Sequence, residues 1–267
     1  MKKLIVVALC SAMLAPVAAA KRKVHTIGDS TMANYVLDAT PRRGWGMFLQ
    51  DFFNSDSVEV NNRGKSGAST RTFYETDKLW PSVKQEMRAG DYLIIQFGHN
   101  DEKCKGEDAL VKNNELKALG QDTLKDIRGT EANTTYKEYL RKFVNEARAL
   151  GVTPVLMSSI CRAYFTEDGT INEEGRHILS AERNYPKAMH EVAEEMNVPF
   201  LDMTSLSRSE YEALGKDYCM EHFFNCGDKT HTGEEGGQMN AKLAYRLLKQ
   251  SPELTELQSW LQEKPLD

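Results

Sequence analysis

The sequence predicts an α/β fold, a parallel sheet of about five strands covered by helices on both faces. Three observations carry that expectation. Short runs rich in β-branched and aromatic residues recur along the chain, stretches with the 3.6-residue apolar period lie between them, and successive runs begin more than thirty residues apart. That spacing leaves room for a crossover helix, and strand–helix–strand units of this kind build right-handed βαβ layers.

The first twenty residues stand outside this pattern. Lys2 and Lys3 precede an apolar run from Leu4 to Leu14, and small residues end at Ala18-Ala19-Ala20. This reads as a secretory signal with an A-x-A cleavage site, so residues 1–20 are expected to be removed and residues 21–267 to form one exported domain, periplasmic or secreted. Cys10 lies inside the apolar run after Leu9, where a lipid anchor wants a small residue, and reads as filler.

The expected strands are Val24 to Ile27, Val58 to Val60, Tyr92 to Phe97, Thr153 to Met157 and Pro199 to Leu201. The clearest helix runs from Thr135 to Leu150, with Tyr136, Tyr139, Leu140, Phe143, Val144, Ala147 and Leu150 on one stripe and Gly151 as its C-terminal cap. A second spans Ala181 to Met196, and Trp45, Phe48, Leu49, Phe52 and Phe53 make a third stripe. The polar, weakly periodic stretch from Glu102 to Asn133 reads as an excursion decorating the sheet rather than a second domain.

Composition narrows the function classes. With 40% hydrophobic and 27% charged residues the chain is ordinary globular material, and its formal charge of −5, or −7 without Lys2 and Lys3, offers no field for nucleic acid or an anionic membrane. No stretch after the leader approaches the ~18 apolar residues of a membrane span. Cys104, Cys161, Cys219 and Cys226 remain in a compartment that permits disulfides; a Cys219–Cys226 bridge is the most local pairing, and free buried thiols are the alternative. The oligomeric state leaves no mark in the sequence.

In open α/β sheets ligands bind at the carboxyl ends of strands, so chemistry is sought in the residues just after each run. After the first comes Gly28-Asp29-Ser30-Thr31. A serine at a strand-to-helix turn presents its hydroxyl at the sheet edge and its N–H at a helix N-terminus; the competing reading is a plain helix cap. After the second comes the glycine-bearing loop Asn62-Arg63-Gly64-Lys65-Ser66-Gly67-Ala68-Ser69, and after the third Gly98-His99-Asn100-Asp101, whose asparagine can offer an amide N–H. Far downstream, Asp228-Lys229-Thr230-His231 places an acid three residues before a histidine. A neutral serine needs such a base, and the base needs a carboxylate to fix its tautomer.

These four blocks, in this order, resemble the SGNH, or GDSL-type, hydrolase superfamily. Gly44-Trp45-Gly46, Gly67-x-Ser69-x-Arg71-x-Phe73, Phe97-Gly98-His99-Asn100-Asp101 and Asp228-x-Thr230-His231-Thr232 sharpen the similarity toward its rhamnogalacturonan acetylesterase branch, over Val24 to Leu248. The resemblance implies a three-layer α/β/α fold with a flavodoxin-like sheet, and an esterase that removes acetyl groups from a plant cell-wall polysaccharide without a cofactor. It implies Ser30 as nucleophile, His231 as base then acid, Asp228 as its orienting carboxylate, and an oxyanion hole from the N–H groups of Ser30 and Gly67 and the Asn100 amide. Gly64 competes with Gly67 for that role. The family's Gly-Arg-Ser is here Gly67-Ala68-Ser69, leaving Lys65 as a substitute for the missing arginine.

Weaker assignments give Arg162 to a substrate carboxylate or sugar hydroxyl, against a surface salt bridge; Trp45 to stacking on a sugar, against core packing; and His99 to the pocket wall, against a local hydrogen bond. The rival functions are a general short-chain or xylan acetylesterase, a lipase or thioesterase of the same superfamily, a carbohydrate-binding protein without turnover, and a zinc site. The last would use Cys219, His222, Cys226, Asp228 and His231, which crowd thirteen positions.

Overall fold

A computed structural model describes residues 21–103 and 128–265. The leader, Cys10, Cys104 and most of the excursion after Glu102 lie outside the described residues. The sheet has five strands, β1 (Arg22–Gly28), β2 (Val58–Asn62), β3 (Tyr92–Gln96), β4 (Thr153–Met157) and β5 (Phe200–Leu201), in the order β2-β1-β3-β4-β5. Every pairing is parallel. From β1 the chain steps outward to β2 and then returns across β1 to β3. The strand order therefore reverses between β1 and β3, the position at which such sheets open a ligand crevice.

Alternate residues of the strands separate the two cores. Leu93 and Ile95 face one layer together with Ile27, Phe97 and Leu156, while Tyr92 and Ile94 face the other with Val24, Val155 and Met157. The first layer is closed by α1 (Thr70–Glu75), α2 (Trp80–Glu86), α3 (Lys137–Ala149) and α4 (Tyr185–Met196). The second is closed by α5 (Met203–Leu214), α6 (Glu234–Gln250) and the turns around Trp45. In α3 the buried residues are Tyr139, Leu140, Phe143, Val144 and Ala147, the expected stripe except for Leu150, which caps the helix and is exposed, and Gly151 at φ +73° ends the turn.

Two expected helices differ. Asn184 accepts a hydrogen bond from the Lys187 N–H and Pro186 occupies the first turn, so α4 starts at Tyr185, not Ala181. The Trp45–Phe53 stripe forms two 3-10 turns, Trp45–Met47 and Leu49–Phe52, instead of an α-helix. Close packing explains this: a Cβ on Gly46 would stand 2.4 Å from the Asn62 amide, and the Trp45 N–H is held by the Thr31 carbonyl at 2.9 Å.

Candidate active site

The site begins where β1 stops. A Cβ on Gly28 would lie 2.7 Å from the Gln96 carbonyl, so only glycine lets β1 and β3 sit together here. The next residues form a turn, not a helix: Met32 N–H bonds to the Asp29 carbonyl at 3.3 Å, and Asp29 Oδ1 accepts from Thr31 N–H at 2.9 Å and Thr31 Oγ1 at 2.8 Å. The expectation that Ser30 opens a helix is thus corrected. Its N–H belongs to an Asp-closed turn and is committed to no other described residue.

Ser30 Oγ lies 2.9 Å from His231 Nε2, and His231 Nδ1 lies 2.8 Å from Asp228 Oδ2. The loop carrying this pair immediately precedes α6, and Asp228 Oδ1 closes it by accepting from the N–H groups of Thr230 (2.8 Å) and His231 (2.7 Å). Burial opposes the Asp228 charge, but the hydrogen bonds from His231 and Thr230 outweigh it and hold the carboxyl below its ordinary value. An ionised Asp228 selects the Nδ1–H tautomer of His231 and leaves Nε2 as the acceptor for the Ser30 hydroxyl. Arg42, 3.0 Å from Asp228 Oδ2, adds a second partner that no motif disclosed.

Opposite Ser30, Gly67 adopts φ +80°, a left-handed conformation that frees its N–H from the loop's own hydrogen bonds. Gly64 does not share that position, since its N–H is given to Asn62 Oδ1 at 3.1 Å. Asn100 Nδ2 donates to the Ala68 carbonyl at 2.8 Å and keeps a second N–H, while its Oδ1 accepts from Lys103 Nζ at 3.0 Å. Ser30, Gly67 and Asn100 line one pocket of about 320 Å³ with His231. Two backbone N–H groups and an amide there can hold a developing oxyanion. Asn100→Ala is expected to lower kcat by ~10²–10³-fold with little change in KM, measured on a soluble acetyl ester.

Arg162 and His99 also reach this pocket; Trp45 does not. The Trp45 ring is wholly buried and its Nε1 donates to Gln96 Oε1 at 2.9 Å, so it has no face left for a sugar, and the substrate-stacking assignment is withdrawn. Lys65, the expected substitute for the missing arginine, is exposed and is not in the pocket wall, whereas Arg42, Lys103 and Arg128 are.

Behind the wall runs a buried polar chain. His99 Nδ1 meets Asp29 Oδ2 at 3.0 Å; burial pushes the His99 pKa down to about 4, so the ring is neutral and donates to the Asp29 carboxylate. Its ring stands edge-on to that of His177 at 4.4 Å. His177 Nδ1 is 2.9 Å from Glu102 Oε2, and Glu102 pairs with Arg162, which also donates to the carbonyl of His99 at 3.2 Å. Glu102 and His177 escaped sequence reasoning, although Glu102 directly follows the Asn100-Asp101 block.

The local Cys219–Cys226 bridge is not formed. Cys161, Cys219 and Cys226 are all free, and Cys219 lies in a buried satellite core, its Sγ donating to the Tyr211 carbonyl at 3.4 Å. The five residues of the zinc grouping do not gather into one site either. His222 pairs with Glu235, His231 is engaged by Ser30 and Asp228, and among the described residues no three His, Cys, Asp or Glu side chains gather to hold a metal.

Residues 26–238 match the model of the GDSL-like lipase/acylhydrolase family. Rhamnogalacturonan acetylesterase RhgT of Bacillus subtilis is 32% identical over 233 residues, covering 83% of this chain and 87% of that protein. A rhamnogalacturonan acetylesterase of Emericella nidulans is 31% identical over 238 residues, covering 88% and 87%. In structure, the chain superposes on Bacillus subtilis YxiM with TM-score 0.67 at 24% identity, covering 86% of this chain and 56% of that one. With Ser30, Gly67, Asn100 and His231 around one pocket at the strand-order reversal, and with this extent of matching, the chain belongs to the GDSL-like lipase/acylhydrolase, or SGNH hydrolase, family.

Proposed function

We propose that this carboxylic ester hydrolase is an exported acetylesterase acting on an acidic plant cell-wall polysaccharide, rhamnogalacturonan. One observation carries the substrate class: the pocket wall holds Arg42, Lys103, Arg128 and Arg162 and, among the described residues, no Asp or Glu. Asp228 and Glu102 pair with Arg42 and Arg162 from outside that lining, yet the lining itself presents only cations in a chain of net charge −5, which favours a polymer carrying carboxylates. The relatives named above as rhamnogalacturonan acetylesterases support the same choice. The polar wall, with no aliphatic side chain among its described lining residues, suits an acetyl group better than a long acyl chain. The leader, Lys2 to Ala20, supports export.

In this reading His231 Nε2 removes the proton of Ser30 Oγ, which attacks the acetyl carbonyl. The oxyanion is held by the N–H groups of Ser30 and Gly67 and the Asn100 amide. His231 returns the proton to the departing sugar oxygen, and water, activated by the same imidazole, hydrolyses the acetyl-enzyme.

Acetate release across acetylated rhamnogalacturonan, acetylated xylan and esters of increasing chain length tests the reading. The expected order puts acetylated rhamnogalacturonan first. A preference for acyl chains of eight carbons or more, or for the neutral xylan, would overturn it.

A further inference from the structure

We propose that a second cavity, at the open edge of the sheet beyond β5, is a distal subsite for a carboxylate-bearing sugar of the same polymer. This rests on the proposed function for the polymer class. The cavity, about 490 Å³, lies between the N-terminal halves of α4 and α5. Among the described residues, Arg176, Lys187 and Arg208 face it against a single acid, Asp202. That acid is already committed, since its Oδ1 accepts from the Ser205 N–H at 3.0 Å and from Ser158 Oγ at 3.2 Å.

The three cations are only partly engaged. Lys187 stands 3.8 Å from Glu191 and Arg176 4.0 Å from Glu173, while Glu212 takes the Nε of Arg208. Two helix N-termini add partial positive charge to the same opening. Phe200 and His190, ring centroids 4.7 Å apart, supply a half-exposed ring wall against which the apolar face of a sugar can lie. Charge selects the carboxylate, and the rings and the exposed Ser205 hydroxyl suit the pyranose.

Position ties this cavity to the catalytic pocket. Both open at the carboxyl ends of the strands: Ser30 follows β1, and Asp202 follows β5. Between β1 and β5 lie three strand spacings, about 14 Å, a distance a short oligosaccharide spans and a single acetylated sugar does not. Beneath the surface between them, Arg176 adjoins the buried His177, whose Nδ1 is 3.3 Å from the Arg162 guanidinium.

The test is calorimetric titration of the Ser30→Ala protein with unacetylated oligogalacturonates of increasing length, using neutral xylo-oligosaccharides for comparison. Affinity is expected to rise once the acidic chain can reach both cavities, with no such step for the neutral series. Adding Arg176→Glu and Lys187→Glu should reduce affinity for the long acidic oligomer about tenfold, to that of short ones. Lys187→Ala alone, at a side chain 64% exposed, should reduce it about threefold if the double variant does not fold. Absence of binding, absence of a length step, or equal affinity in a folded variant would overturn the subsite. Failure of the wild type to release acetate from acetylated rhamnogalacturonan, with charge-dependent oligogalacturonate binding intact, would overturn the proposed function and leave the subsite standing.

Discussion

Ser30→Ala is expected to lower kcat for p-nitrophenyl acetate by on the order of 10⁵–10⁶-fold while leaving the circular dichroism spectrum unchanged. The asymmetry comes from the contacts of the hydroxyl. Among the described residues Ser30 Oγ has one partner, His231 Nε2 at 2.9 Å, so removing it costs a single hydrogen bond, about 1 kcal/mol of stability. The turn that carries it is held instead by Asp29 and Thr31, which the substitution leaves in place. Because Ser30 and His231 act as one unit, Ser30→Ala combined with His231→Ala should be scarcely slower than either alone. Asp228→Asn should cost ~10⁴-fold by favouring the wrong His231 tautomer. A wild-type rate in the Ser30→Ala protein would remove it as nucleophile.

How far the sequence disclosed this molecule depends on how local each signal is. The β3 run is apolar on both faces because it is central in the sheet, and the α3 stripe repeats at helical spacing, so both were legible from neighbours along the chain. The stripe at Trp45 misled for a physical reason: its apolar period is satisfied by 3-10 turns once Gly46 must pack against Asn62. Asp228 and His231 were legible since they lie three residues apart on one loop. The cationic wall was not, because Arg42, Lys103, Arg128 and Arg162 come from four separated segments and meet only in the fold. Ser30 was expected at a helix N-terminus because a helix commonly follows a strand in this fold class, whereas here Asp29 closes a turn by its own carboxylate.

The pair Glu102–Arg162 joins the buried polar chain to the pocket wall, and Glu102→Gln is expected to lower stability at pH 7 by ~3 kcal/mol. Arg162 and Glu102 are both about nine-tenths buried, so removing the acid leaves a buried guanidinium without its counter-charge. Burial opposes the Glu102 charge, yet His177 and Arg162 hold the carboxyl down to about 2 from an ordinary 4.5. A folded-state pKa below the unfolded one stabilises fully above pH 4.5 and is lost as pH falls toward 2. From that shift, the contribution drops to roughly half or less by pH 3. Thermal unfolding should therefore show a Tm gap between wild type and Glu102→Gln of about 6–12 °C at pH 7 that narrows steadily toward pH 3. A gap independent of pH would mean that shape, not charge, is what Glu102 contributes. The same variant should raise KM for the acidic polymer more than for p-nitrophenyl acetate, because Arg162 loses the partner that holds it against the carbonyl of His99 at the pocket wall.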